Sequence, residues 1–273
     1  MKWFVALNLA CQTYEFYDRM IRVAVNSALE YTDLSPHLLF DGAPNDLTTW
    51  FEKRGGTVIY CRSSFADDLK TLADRKGDRN IYTIGSGAFI RVEIPRILAE
   101  QGIDDEYILY TDCDVLFQNN PVPFLEKMRC QFFAVSSEHQ IGNYRAMNTG
   151  VMLMNAHNLG RSLPGFSQYI RSHLAELCRG TWDQDAYQNY YRFPRQKWCQ
   201  KWAWCLWTPL PEILNWKPYW GENSQAAIVH FHGPKPFMQA AVRQGEIPPA
   251  YQTLAGTGYD YYCRVWNQIA IGT

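Results

Sequence analysis

No two cysteines in this chain are spaced as a CxxC pair, although Cys11, Cys61, Cys113, Cys130, Cys178, Cys199, Cys205 and Cys263 are scattered along it. That spacing argues against a structural zinc site. At 273 residues a disulfide framework is not needed either, so the thiols read as buried and reduced, which favours the cytoplasm. Charge of one sign is missing as well: 26 basic side chains face 27 acidic ones. The footprint of a nucleic-acid binder is therefore absent, and an anionic ligand has to be met by a local site. No apolar run approaches the length of a membrane span. The N-terminal stretch 1–11 is too short for a leader and is broken by Asn8, so it reads as a first strand. Without repeats, low-complexity tracts or linkers, the chain reads as one domain over 1–273, with 238–273 an extension of open role.

Apolar material is plentiful, at 47% of residues. Short apolar runs predict strands at 3–7, 37–40, 57–60, 106–110, 132–136, 150–155 and 227–231. Helical spacing of apolar residues alternates with the early ones at 14–31, 45–54 and 88–101. This βαβ alternation predicts an α/β domain with a mostly parallel sheet and helices on both faces. Ligands of such sheets sit at the carboxyl ends of strands. Further helices are expected near 163–179 and 184–191. An aromatic run at 198–220 then holds Trp198, Trp202, Trp204, Trp207, Trp216 and Trp220. Sugars bind well against aromatic faces, so this run suits an acceptor pocket as well as a core patch.

Two segments carry the chemistry. In 107–115 an apolar strand delivers Asp112 and Asp114 around Cys113 at its carboxyl end. Residues i and i+2 of a strand share a face, so the two carboxylates are expected to converge on a hard divalent cation. A cation so held neutralises a diphosphate leaving group. In 228–237 a strand ends in His230, followed by His232, Gly233 and Lys235. Imidazole supplies a nitrogen ligand, glycine permits close approach to a phosphate, and lysine supplies a point charge.

The order of these motifs resembles the family 8 retaining glycosyltransferases, the group that includes glycogenin and bacterial lipopolysaccharide galactosyltransferases. The resemblance spans roughly residues 3–237. It implies a GT-A fold, a nucleotide-sugar donor of UDP type and Mn²⁺ (or Mg²⁺) held by Asp112, Asp114 and His230. His230 rather than His232 takes the first position of the family's His-(Phe/Tyr)-x-Gly element. Arg91, on the helix before the Asp-x-Asp, is implied to contact the donor together with Cys113, Gly233 and Lys235. Asn148, in Asn148-Thr149-Gly150-Val151, is implied to touch the donor sugar, and Asp183 and Gln184, in Asp183-Gln184-Asp185, to face it. Asp185 supports the site from behind. Asp183 also fits a helix N-cap. Asn8 and either Tyr14 or Tyr17 are implied for the base, with Tyr17 fitting the spacing better. The chain departs from the family twice. Only Pro234 separates Gly233 from Lys235-Pro236, and Tyr187-Gln188 stand where Leu-Asn is usual.

The expected activity is transfer of a hexose-type sugar to a saccharide, lipid-linked or other hydroxyl acceptor, with retention, as in polysaccharide biosynthesis. Two alternatives use the same residues. One is a phosphatase of the haloacid-dehalogenase type with Asp112 as nucleophile, although more than one hundred residues precede the motif here. The other is a protein that binds a nucleotide sugar without transferring it. The tail segment 259–266 is open to packing, to a dimer contact or to peripheral contact with a membrane.

Overall fold

The computed structural model describes residues 1–11, 14–192 and 206–271. The expectation for residues 198–205 of the tryptophan-rich run, with Cys199 and Cys205, lies outside the described residues. The strands are β1 (Lys2–Asn8), β2 (Ser35–Asp41), β3 (Thr57–Tyr60), β4 (Tyr107–Thr111), β5 (Val115–Phe117), β6 (Phe133–Ser137), β7 (Met147–Asn155), β8 (Trp207–Pro209) and β9 (Ile228–His230). Seven of them form one sheet in the order β3-β2-β1-β4-β7-β6-β8, while β5 and β9 make a separate antiparallel pair. The pairs β1–β2, β2–β3, β1–β4 and β6–β8 are parallel, and β7 runs antiparallel to β4 and β6. The sheet is thus mixed and mostly parallel, as expected.

Helices α1 (Tyr14–Tyr31), α2 (Asp46–Lys53), α3 (Ala66–Lys76), α4 (Asn80–Ala88) and α5 (Ile94–Glu100) lie between the first four strands. They are followed by α6 (Val122–Leu125), α7 (Ala156–Leu177), α8 (Asp183–Tyr190), α9 (Gln239–Gln244), α10 (Pro249–Gln252) and α11 (Tyr259–Ala270). Alternation along the strands decides which residue serves which face. In β1, Phe4 enters the core shared with α3, α5, α7 and α8, whereas Trp3, Val5 and Leu7 enter the core shared with α1 and α2. Likewise β4 sends Ile108 and Tyr110 one way and Leu109 the other. Each fully buried side chain of this size stabilises the fold by about 1.5–3 kcal/mol.

Several helices differ from expectation. Residues 88–101 do not form one helix: a 3₁₀ turn (Phe89–Glu93) precedes α5, and Pro95 sits in the first turn of that helix, where its missing N–H costs nothing. Helix α7 starts seven residues ahead of the expected 163, because the Asn155 side chain accepts from the Asn158 N–H at 3.0 Å and caps it. Pro164 therefore lies inside the helix. Helices α3, α4, α6, α9, α10 and α11 were not expected at all.

The C-terminal extension packs. Tyr259, Tyr262, Cys263 and Trp266 of α11 are buried against Met20 and Val23 of α1, Leu116 of β5, and Val229 and Phe231. Among the described residues no helix is long and apolar enough to cross a membrane.

Candidate active site

The pair of aspartates does not sit on one strand. β4 ends at Thr111, and residues 112–114 turn out of the main sheet into β5. The alternation argument is therefore replaced by a junction between two sheets. The Asp112 N–H continues the β4–β7 ladder by donating to the Gly150 carbonyl at 2.8 Å. On the other side, β5 pairs with β9 so that Val115 lies opposite His230, and the Phe231 N–H donates to the Asp114 carbonyl at 2.9 Å. This register brings one ligand atom each of Asp112, Asp114 and His230 within 4.8 Å of one another.

Gly150 makes room for the junction. A Cβ on it would lie 2.0 Å from His230 Cε1, so any side chain there would expel the imidazole. His230 is buried, which pushes its pKa down and keeps the ring neutral. Its Nδ1 faces two amide oxygens, Asn148 Oδ1 at 3.2 Å and Asn215 Oδ1 at 3.1 Å. Nδ1 therefore carries the proton, and the lone pair on Nε2 points to Asp114 Oδ1 at 3.4 Å. That carboxylate oxygen is buried and receives no hydrogen bond from the described residues. Two acceptors thus face each other across a gap that a cation would fill. Two carboxylates and one imidazole nitrogen are a donor set that Mn²⁺ or Mg²⁺ accepts.

Lys235 lies on the other side of Asp114. Its ammonium is paired with Asp114 Oδ2 and donates to the Phe231 carbonyl at 2.7 Å. Burial works against the Asp114 charge, but the Lys235 ammonium beside it holds its carboxyl well below the usual carboxylate range. Gly233, at φ +137°, supplies the turn that folds Lys235 back, and its face is covered by Leu254 of the C-terminal extension.

Arg91 ties the remaining acids together. Its guanidinium reaches Asp112 Oδ1 at 2.8 Å, Asp183 Oδ2 at 2.8 Å and the Thr149 carbonyl at 2.6 Å, with its flat face 4.7 Å from the centre of the Tyr110 ring. The residue is only 6% exposed, so its charge serves these acids from behind. Burial pushes Asp183 up to about 7 against the pull of Arg91. Asp183 is not the cap of α8; Trp182 holds that position at φ 59°, ψ −120°. A tryptophan at positive φ carries strain of about 1–3 kcal/mol, a cost that recurs at functional sites. Asp185 supports the same turn by accepting from the Thr181 N–H at 2.7 Å.

Asn148 and Gln184 meet at a residue the sequence did not single out. Glu138 Oε2 accepts from Asn148 Nδ2 at 3.2 Å and from Gln184 Nε2 at 3.0 Å. Gln184 Oε1 in turn accepts from the Thr149 N–H at 3.1 Å. A bulge in β6 between Val135 and Ser136 re-aims the strand end that carries Glu138. Behind it lies buried Lys217, whose ammonium donates to Ser136 Oγ at 2.6 Å and the Ser137 carbonyl at 2.8 Å. Burial pushes its pKa down to about 7. Asn215 and Lys217 sit within the aromatic run, where their polar character among tryptophans was the available signal.

The first strand places Asn8 in the same region. Its Nδ2 donates to the Thr83 carbonyl at 2.9 Å and Ser86 Oγ at 2.7 Å, and its buried Oδ1 receives no hydrogen bond from the described residues. Tyr14 is turned towards α2, accepting from Asn45 Nδ2 at 2.7 Å. Tyr17 is turned towards the junction: burial raises its hydroxyl pKa, and Cys113, Lys235 and Asp114 act on it. Cys113 is buried, and its thiol is pushed well above the usual range by that burial.

No protein-family profile matches the sequence, and no curated protein matches it. Solved structures do match. The galactosyltransferase LgtC, in complex with donor and acceptor sugar analogues, superposes with a TM-score of 0.64 at 15% identity, covering 100% of this chain and 96% of that one. The glycosyltransferase GlyE of Streptococcus pneumoniae gives 0.61 at 17% identity, covering 99% of this chain, which spans 60% of GlyE. Mouse xyloside xylosyltransferase 1 gives 0.54 at 16% identity, covering 85% of this chain and 98% of that one. The likeness is one of fold: the mixed sheet flanked by helices is the GT-A fold that the motif order implied.

Proposed function

We propose that this chain is a metal-dependent glycosyltransferase that moves a hexose-type sugar from a UDP-linked donor to a saccharide or other hydroxyl acceptor, with retention of configuration. The observation that carries the reading is the convergence of Asp112, Asp114 and His230 within 4.8 Å at the junction of two sheets on a GT-A fold. The neutral His230 ring, its Nε2 lone pair and Asp114 Oδ1, which no hydrogen bond from the described residues reaches, suit these residues to hold Mn²⁺ or Mg²⁺. Such a cation supplies positive charge against the diphosphate of the departing nucleotide. LgtC, which shares the fold, was captured with donor and acceptor sugar analogues, and a glutamine lies in its active site.

The chain's own residues then have defined tasks. Lys235, beside Asp114 Oδ2, would offer its ammonium to the diphosphate, and Gly233 would keep the backbone close to it. Asn8 and Tyr17 line the place of the base beyond the carboxyl end of β1. Arg91 holds Asp112 and Asp183 in fixed positions. Gln184, Asp183 and Asn148 face the transferred sugar, where the Gln184 carbonyl dipole stabilises positive charge at the anomeric carbon without bonding to it. Retention follows when the acceptor hydroxyl attacks from the face that the nucleotide leaves. Domain-wide, residues 1–273 act as one catalytic unit.

The test is incubation of the purified protein with a panel of UDP-sugars, Mn²⁺ and simple glycosides, reading UDP release. Mn²⁺-dependent release with one sugar is expected, and Asp114→Asn should lower it by about 10³-fold, several kcal/mol of lost charge stabilisation. Release of phosphate from simple phosphoesters, with no turnover of any sugar nucleotide, would overturn the reading in favour of a phosphatase.

A further inference from the structure

A second cluster of ligating side chains lies beside the first. One ligand atom each of Glu138, His139 and His232 falls within 4.8 Å of the others, and none of the three belongs to the Asp112–Asp114–His230 set. Its hydrogen bonds fix the ring chemistry. The Tyr219 hydroxyl has one proton, and it goes to the Glu138 carbonyl at 2.5 Å. The same hydroxyl oxygen is 3.0 Å from His232 Nδ1, so it can only accept there, and Nδ1 carries the ring proton. In the neutral ring, Nε2 is then a bare lone pair, and it faces the carboxylate oxygen Glu138 Oε1 at 2.9 Å. Two acceptors this close require a positive charge shared between them. The imidazole of His139, adjacent in the chain and exposed, stands with its ring centre 5.7 Å from that of His232.

We propose that Glu138, His139 and His232 form a second cation site, selective for a late first-row metal such as Zn²⁺. Two imidazoles and one carboxylate make a His₂Glu set with open positions, which zinc favours and which differs from the oxygen-rich set preferred by Mn²⁺ and Mg²⁺. Bonds of about 2.0–2.2 Å to nitrogen and oxygen span a 2.9 Å separation at an angle of about 90°. The Tyr219 hydroxyl accepting from Nδ1 is the outer partner that orients a metal-bound histidine. Glu138 needs only Oε1 for the metal, since Oε2 already accepts from Asn148 and Gln184. A zinc ion there sits one carboxylate away from the two amides assigned to the sugar, at the mouth rather than the floor of the site.

The experiment is a Zn²⁺ titration of tag-free protein against a chromogenic chelator, with Mn²⁺ saturating throughout. One equivalent of zinc is expected to bind. His139→Ala and His232→Gln should each weaken it at least tenfold, and Tyr219→Phe should weaken it by about tenfold through the lost orienting contact. Asp114→Asn should leave the zinc affinity unchanged, which separates this site from the transferase reading: either can fail while the other stands. Absence of zinc binding, or binding that survives in the His139→Ala/His232→Gln double variant, would overturn the proposal. Wild-type affinity in Tyr219→Phe would also overturn it, because the Glu138–His232 contact would then be a proton-shared ion pair.

Discussion

The Tyr259 hydroxyl donates to the Lys235 carbonyl at 2.7 Å, so the C-terminal extension grips the loop that carries the ammonium beside Asp114. Tyr251 does the same two residues earlier, donating to the Gly233 carbonyl at 2.7 Å. The loop is short, with Pro234 alone between Gly233 and Lys235, and these two hydroxyls hold it from outside. Tyr259→Phe keeps the buried ring and removes one hydrogen bond, a net loss of about 0.5–1.5 kcal/mol. Affinity for the nucleotide donor should fall by about two- to tenfold, with a far-UV spectrum like that of wild type. Calorimetric titration with UDP and Mn²⁺ checks it, and an unchanged affinity would separate the extension from the donor loop.

Gly150→Ala tests the junction. The added methyl would occupy space 2.0 Å from His230 Cε1, in a pocket where the ring cannot retreat without leaving Asn148 and Asn215. Mn²⁺ affinity should drop at least tenfold, and overpacking should cost about 1–3 kcal/mol of stability. Electron paramagnetic resonance counts the free Mn²⁺, and urea denaturation reads the stability.

Arg91→Lys should be far from conservative. One guanidinium serves Asp112, Asp183 and the Thr149 carbonyl at once, a fork that a single ammonium cannot reproduce. Leaving a buried carboxylate without its partner costs about 3–5 kcal/mol. A loss of that size in the unfolding free energy read from urea denaturation is expected, and a change below about 0.5 kcal/mol would mean that Asp183 is not held as an ion in the folded state.

Lys217 gives a pH dependence with a definite sign. Its folded pKa is depressed to about 7, below the ordinary lysine value of 10.5 retained on unfolding. Below pH 7 both states are protonated and the cost of the buried charge is fully present. Between pH 7 and about 10 the unfolded state binds more protons, so this group makes stability rise with pH, by up to about 1.4 kcal/mol per unit. Lys217→Met should remove that slope. Its advantage over wild type would be largest near pH 6.5 and would shrink by pH 9.5. Parallel stability curves for the two proteins would contradict the assignment.

Much of this architecture was legible. Helix α1 shows its apolar spacing in full, and β3 is bounded by its turn residues, so both were read at their observed limits. β5 is three residues long and carries no periodicity to find. Yet it turns the Asp-x-Asp out of the main sheet, so the convergence of Asp112 and Asp114 was expected for the wrong geometric reason. Helix α3 carries end signals in its sequence, with Asp67 and Asp68 in its first turn, Arg75 and Lys76 in its last, and Gly77 at φ +65° beyond it. Glu138 was not legible. Its role comes from contacts with Asn148, Gln184 and His232, and no local pattern marks a residue whose partners lie so far along the chain.

The most direct measurement of the central claim is thermal unfolding with UDP, with Mn²⁺, with both and with neither, for wild type and Asp114→Asn. A ligand that binds only the folded state at 100 times its dissociation constant adds about 2.7 kcal/mol of stability. The account predicts a rise in melting temperature for wild type that needs UDP and Mn²⁺ together and vanishes in Asp114→Asn. A UDP-induced rise that ignores Mn²⁺, or one that persists in Asp114→Asn, would contradict it.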